Sequence, residues 1–438
     1  MADPTPPPAP AGAPKPPPPR NQALRMLGLP ALPKKLPSRN WMIFWTLTTG
    51  ISAAIIYDKR EKKRATARWT HAVEHLAKEP IPNGLSQVRK LTIYLSSPPG
   101  DGLRIAQDHY TEYVKPILAA SGLDWEFVQG RREGDVRAVV AEKVRKVRRD
   151  WESNDDEDLD REPTKDEIVE RYRKMRGIEE YSGVRGDVVI GRHTWKEYVR
   201  GLHEGWLGPL AAPPEPEPLP KVDAQQASED KPAEDKPVEE EKPKRPPQPR
   251  PHNTTNDYPA ESLPLLAPAE FTPAAPIREP HLLGFLNTPT RMYRFFNRRK
   301  LADEIGREVA AVCLTTYREF KESPNPESNS ATIDDVQYEQ QRELAWEEKD
   351  WIKTVWKEDD PEATEKIRAL PIVMDPRIAN RMRRFEILPE DEVQARQIVV
   401  PEEEVEGWTK GSFRQLFRWG ASLFNKPPTA PLTDADVE

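Results

Sequence analysis

Proline constrains this chain more than any other residue type. There are 49 in 438 residues, and many are bunched. Residues 1–20 read MADPTPPPAPAGAPKPPPPR, and residues 211–280 carry PPEPEPLPK and EEEKPKRPPQPRP. Proline locks φ and has no N–H to donate, so neither a helix nor a strand ladder runs through such stretches. Residues 1–40 are therefore expected to be a proline-rich disordered N-terminus, 211–280 a disordered proline- and acid-rich linker, and 426–438 a tail. A charged fraction of 32% and a mean hydropathy of −0.80 agree that much of the chain stays out of any core. What remains to fold is residues 41–57, a basic stalk over 58–87, a compact region over 88–210, and a mostly helical C-terminal region over 281–425 that packs on it.

The run WMIFWTLTTGISAAIIY, Trp41 to Tyr57, carries no charge. At 1.5 Å per residue it spans roughly 26 Å, close to the ~30 Å hydrocarbon core of a bilayer, and a single transmembrane helix is expected there. Trp41, Trp45 and Tyr57 lie near its ends, and basic residues flank both sides. A cleaved signal peptide would start nearer the N-terminus and end in a small-residue cleavage site, and a buried core helix would not have such basic flanks. Lys and Arg number four over 21–40 and six over 58–68, a weak vote for the C-terminal side as inside.

Between residues 88 and 210, strand and helix signals alternate. KLTIYLSS is β-branched and apolar and stops at Pro98-Pro99-Gly100. Leu103, Ala106, Tyr110, Tyr113, Ile117 and Leu118 fall at helical spacing, with Pro116 expected to kink or restart the helix. DWEFV is a second strand. Asp135 caps a helix with Val136, Val139, Val140, Val144 and Val147 on one side, and Thr164 with Glu167 form a capping box. VVIG is a third strand, followed by a helix with Thr194 and Glu197 as its capping box. This order predicts an α/β domain on a parallel sheet. Farther on, Trp346, Trp351 and Trp356 space a further predicted helix, as core anchors or a partner surface.

The one stretch laid out for chemistry is Val188 to Leu202, VVIGRHTWKEYVRGL: a strand, a glycine turn and a helix start. A phosphate loop needs several glycines so that backbone N–H groups can approach an anion at the helix N-terminus. Here only Gly191 stands, with Arg192, His193 and Thr194 after it, so the candidate site is a degenerate phosphate-loop position. The plain alternative is a capping box without a ligand. No catalytic residue, no metal site and no cofactor is expected. His71 and His75 lack a third ligand nearby, and no G-x-S-x-G, H-E-x-x-H or Walker loop occurs. The lone Cys313 excludes a disulfide framework and reads as a buried small hydrophobe. A formal net charge of −7 argues against nucleic acid as a partner.

Three blocks carry a resemblance: KLTIYLSSPPGDGLRIAQDHYTEYVKPILAASGLDWEFVQGRREGDVRA, HLLGFLNTPTRMYRFFNRRKLADEIGREVAAVCL and MDPRIANRMRRFEILPEDE. Together they resemble the fungal fifty-four-kilodalton subunit family of the mitochondrial inner-membrane carrier translocase. The resemblance implies a non-enzymatic inner-membrane protein, single-pass, with its N-terminus in the matrix and its large domain in the intermembrane space. It implies a scaffold and docking platform whose partners are the channel-forming subunit and other membrane subunits, the small intermembrane-space chaperone subunits, carrier precursors and inner-membrane lipid. In strand and helix order, residues 88–210 are also similar to the N-terminal domain of diacylglycerol and acylglycerol lipid kinases. Those enzymes carry G-G-D-G-T at the third strand, where this chain has Ile190, Gly191, Arg192, His193 and Thr194. Two glycines and the aspartate are gone, which implies a pseudokinase. An active membrane-bound lipid kinase, or a scaffold for other inner-membrane machinery, are the alternatives.

Overall fold

A computed structural model describes residues 38–79, 89–152, 165–178, 185–213, 248–324, 336–351, 353–356 and 365–406, with 411, 412 and 416. The expectations for residues 1–37, the capping box at Thr164, the linker between 214 and 247 and the tail lie outside these. The chain divides into two units, Met1–Ile55 and Ile56–Glu438.

Helix α1, Arg39–Val73, runs for 35 residues. Its first half, which includes the uncharged run, is solvent-exposed. The expected transmembrane helix is not found: among the described residues no helix is long and apolar enough to cross a membrane. The run is only seventeen residues long and is diluted by Thr46, Thr48, Thr49, Gly50 and Ser52 before Asp58 opens a charged stretch. Thr46 and Thr48 turn their hydroxyls back onto the carbonyls of Met42 (3.0 Å) and Phe44 (2.7 Å). The single-pass topology expected from that run falls with it.

The second unit is built on a six-stranded sheet of order β2-β1-β3-β4-β8-β5. In chain order, β1 is Lys90–Ser96, α2 Leu103–His109, α3 Lys115–Ser121, β2 Asp124–Gly130, α4 Asp135–Glu152, α5 Lys165–Met175, β3 Gly186–Ile190, α6 Arg192–Leu207 and β4 Ala274–Ile277. Then come α7 Thr288–Phe295, α8 Arg298–Leu314 and β5 Tyr317–Glu319. The pair β6 Glu322–Pro324 and β7 Val336–Tyr338 forms a separate two-stranded sheet. Helices α9 Glu339–Arg342 and α10 Pro376–Ala379, strand β8 Arg383–Phe385, and helices α11 Pro389–Gln397 and α12 Glu402–Val405 complete it. Strands β2, β1, β3, β4 and β8 are parallel, and only β5 runs the other way.

Alternation along the central strands sorts side chains into two cores. Ile93, Val188 and Ile190 face one side with α2, α3, α8 and Trp69 of α1. Tyr94 and Val189 face the other with α4 and α6. A sheet covered by helices on both faces is what an apolar parallel sheet requires. Ala106, Tyr110, Tyr113, Ile117 and Leu118 of the predicted face are buried, with Tyr110–Val114 forming a π-helical turn and Pro116 at the start of α3. On α4, Val136, Val140 and Val144 are buried but Val139 and Val147 are exposed, so the apolar stripe is narrower than the spacing predicts.

Three expectations are redrawn. The linker does not reach Pro280: residues 248–280 are described, and β4 within them lies in the middle of the sheet between β3 and β8. The C-terminal region does not merely pack on the α/β domain, because β5 and β8 extend its sheet. The stalk is no stalk in its helical part. Asp58 is buried and accepts the N–H groups of Arg298 (3.1 Å) and Arg299 (3.4 Å), capping α8. Trp69 is 1% exposed, and its indole N–H donates to Asp303 at 2.7 Å.

Helices α4 and α6 lie unusually close. A β-carbon on Gly201 would sit 2.7 Å from the carbonyl oxygen of Arg137, and one on Gly205 2.6 Å from the Val144 β-carbon. We expect Gly205→Leu to destabilise the fold by about 1–3 kcal/mol or more through overpacking. Gly102→Ala, where a β-carbon meets nothing within 4 Å, serves as the near-neutral control. Denaturant unfolding of both variants checks this, and equal midpoints would refute it.

Candidate functional site

In a parallel sheet wound this way, β2 and β3 lie on opposite sides of β1, so the chain reverses direction between β1 and β3. Such a switch point opens a crevice at the strands' carboxyl ends, where ligands bind. The degenerate loop Gly191, Arg192, His193 and Thr194 sits there. Gly191 joins β3 to α6 with φ +88°, a region L side chains avoid, and its N–H donates to the Ile277 carbonyl at 2.9 Å. Even the smallest side chain is excluded, since a β-carbon would lie 2.6 Å from a Glu279 oxygen.

The crevice is filled by the protein itself. Glu347, from the 3₁₀ turn Ala345–Asp350, places its carboxyl at the N-terminus of α6. Its Oε2 accepts the Arg192 N–H at 2.9 Å, and its Oε1 accepts the Glu279 N–H at 2.8 Å. A carboxyl oxygen thus stands where a phosphate oxygen stands in a working loop. Burial pushes this carboxyl up to about 8, against the pull of the two N–H groups. Glu279 is fully buried, and burial followed by the neighbouring Glu347 raises it well above the usual carboxylate range. Among the described residues neither of its oxygens has a hydrogen-bond partner.

Arg192 and, one turn on, Lys196 hold the C-terminal region down, while His193 bonds to the end of β1. The Arg192 guanidinium donates to Glu348 Oε1 (2.9 Å), to the Gln341 carbonyl (2.8 Å) and to the Glu343 carbonyl. His193 is buried, and its Nε2 lies 3.0 Å from the Ser96 carbonyl at the end of β1, so Nε2 carries the proton. Burial, then the charge of Arg368, pushes its ring down to about 3 and keeps it neutral. Lys196 donates to the carbonyls of Arg368 and Leu370, both at 2.9 Å, and pairs with Glu348 at 2.8 Å. The cavity nearby, lined by Lys196, Arg200, Tyr258 and Glu365 among others, holds about 20 Å³, room for about one water.

The expected capping box does not form. The helix begins at Arg192 with Gly191 as N-cap, so Thr194 lies inside the first turn, buried, and among the described residues its hydroxyl has no partner. Glu197 crosses instead to α4 and accepts the Val136 N–H at 3.1 Å. The predicted tryptophan helix is instead two 3₁₀ turns, Ala345–Asp350 and Lys353–Trp356; Trp346 lies under the guanidinium groups of Arg278 and Arg294, and Trp351 is buried under Lys196. His71 bridges Glu74 (3.0 Å) and Glu404 (2.9 Å). Among the described residues no group of His, Cys, Asp and Glu is arranged to hold a metal. Sequence reasoning missed Glu279 and Glu347. Glu347 sits in a solvated-looking run, LAWEEKDW, and nothing local ties it to Arg192, 155 residues away.

The sequence model of the family described as inner membrane protein import complex subunit Tim54 matches residues 21–385. A mitochondrial import inner membrane translocase subunit tim54 of Neurospora crassa is 68% identical over 433 residues, covering 96% of this chain and 92% of that one. The protein of the same name from Aspergillus oryzae is 44% identical over 84% of this chain and 89% of its own, and that of Schizosaccharomyces pombe 30% over 82% and 95%.

The Glu347 carboxyl keeps its proton in the folded chain to about pH 8 but in the unfolded chain only to about 4.5. The native state therefore binds the extra proton between these values, and this group's contribution to stability falls as pH rises from 4.5 to 8. Glu347→Gln cannot titrate. The stability of the native chain relative to this variant is expected to fall by up to a few kcal/mol across that window. Urea unfolding at several pH values checks it, and a pH-independent difference would refute it.

Proposed function

The chain belongs to the family of the inner membrane protein import complex subunit Tim54, and from that premise we propose that it works as a non-catalytic platform in import. It is a subunit of the mitochondrial inner-membrane translocase, and its α/β unit is a rigid docking body rather than an enzyme. The observation that carries the non-catalytic reading is Glu347 seated on the α6 N-terminus, in the place a nucleotide phosphate would need. Lost glycines, the buried Glu279 and Arg192 bonded into the C-terminal region support it. A lipid kinase would have to move Glu347, Glu279 and Arg192 out of the way.

The partners proposed are the channel-forming subunit and other membrane subunits of the translocase, the small chaperones of the intermembrane space and the carrier precursors they deliver. The large unit faces the intermembrane space, where those chaperones are.

Two measurements test the reading. Titration with Mg-ATP is expected to leave thermal stability unchanged, whereas a ligand at about 100 times its Kd adds about 2.7 kcal/mol. Isolation from mitochondria in mild detergent is expected to bring the channel subunit along, and protease added after the outer membrane is ruptured is expected to digest the large unit. A thermal shift with nucleotide, or migration as a free monomer, would overturn it.

A further inference from the structure

Helix α7 is amphipathic the wrong way round for a surface helix. At about 100° per residue, Phe295, Met292 and Tyr293 share one arc, which Phe296 at the C-cap completes. That arc should face a core, yet none of these residues joins either of the two cores. Its polar side is what holds the helix to the protein: Arg294 donates to Asp350 at 2.7 Å and lies 5.3 Å above Trp346. Met292, Tyr293 and Phe295 are left exposed, and the turn just before carries Phe285 and Leu286, 89% and 92% exposed. Single exposed apolar residues need no explanation, but five within eleven positions mark an interaction surface.

Charge identifies what the surface meets. Residues 281–300 hold five Arg and Lys and no Asp or Glu. Of these, Arg291, Arg298 and Lys300 are exposed around the apolar residues. At the α7–α8 corner, Arg299 stacks on the exposed Tyr57 ring at 5.3 Å, so a further aromatic lies beside the patch. An apolar arc with aromatic residues and rimmed by cations matches a headgroup layer, where rings lie at the acyl boundary and Arg and Lys reach phosphates. A protein groove complementary to it would have to be both apolar and acid-rimmed.

We infer that Phe285 to Lys300 form a lipid-docking surface that lies in the headgroup layer of an anionic bilayer and sets the tilt of the α/β unit against the membrane. This is peripheral docking and requires no span.

The test uses the full chain with Leu286→Cys labelled by a polarity-sensitive fluorophore, and vesicles of phosphatidylcholine with or without cardiolipin. The native Cys313 is buried and its thiol is pushed up to about 11, so it stays unlabelled. With cardiolipin, the emission is expected to shift blue and to be quenched by spin-labelled lipid. Each of Arg291→Ala, Arg298→Ala and Lys300→Ala is expected to lower the docked fraction about fivefold, with unchanged thermal unfolding, and high salt weakens docking in the native chain. A label that remains aqueous in every vesicle while the chain is folded would overturn the inference. So would burial of the label only when another protein is bound, which would assign the surface to a protein partner.

Discussion

The contact on which the rest depends is the Glu347 carboxyl bridging two backbone N–H groups, that of Arg192 at the start of α6 and that of Glu279 just after β4. Helix starts leave N–H groups without intrahelical partners, and a buried start must find acceptors elsewhere. Here one side chain from the C-terminal region serves the helix and the end of the central strand β4 together. It ties segments on either side of residues 214–247 into one body. Its effect on function follows from the same atoms, because an acceptor already on the helix N-terminus leaves no site for an anion.

A second constraint is the density of buried charge around α6. Glu204 is fully buried and receives the guanidinium groups of Arg137 and Arg145 and the His252 N–H at 3.1 Å. Arg200 reaches Glu365 at 2.8 Å and Asn253 at 2.9 Å. Buried ion pairs offset their desolvation only when every partner is in place. The partners here come from α4, from residues 248–261 and from residue 365, so pieces far apart in sequence must all be home before any is satisfied. The close approach at Gly201 and Gly205 brings α4 near enough for this.

The end of α1 shows how one helix can hold two characters. From Trp41 to Tyr57 it is uncharged and exposed. From Asp58 onward it belongs to the α/β unit, with Asp58 capping α8 and Trp69 in the core beneath it. Hydropathy alone separates an apolar run from a basic run and predicts a span and a stalk. The buried Asp58 and the single Trp69 give no periodic signal, although they decide where the fold begins.

Local pattern was enough for much of this protein. The strands at KLTIYLSS, DWEFV and VVIG, the helices between them and their parallel pairing follow from β-branched runs, helical spacing and turn residues, which act over a few neighbours. The loss of the phosphate loop is equally local, because Arg192 and His193 stand where glycines are needed. Tertiary structure decided what acts over distance. AAPI over 274–277 is too short and too proline-flanked to announce a central strand, and becomes one because β3 offers a free edge beside it. Thr194 and Glu197 have the spacing of a capping box, but the N-cap of α6 is Gly191, three residues earlier, and Glu197 accepts an N–H of α4 instead. That Glu347 fills the site could be seen only once the chain had folded, since the carboxyl and the N–H it meets are brought together by the whole sheet.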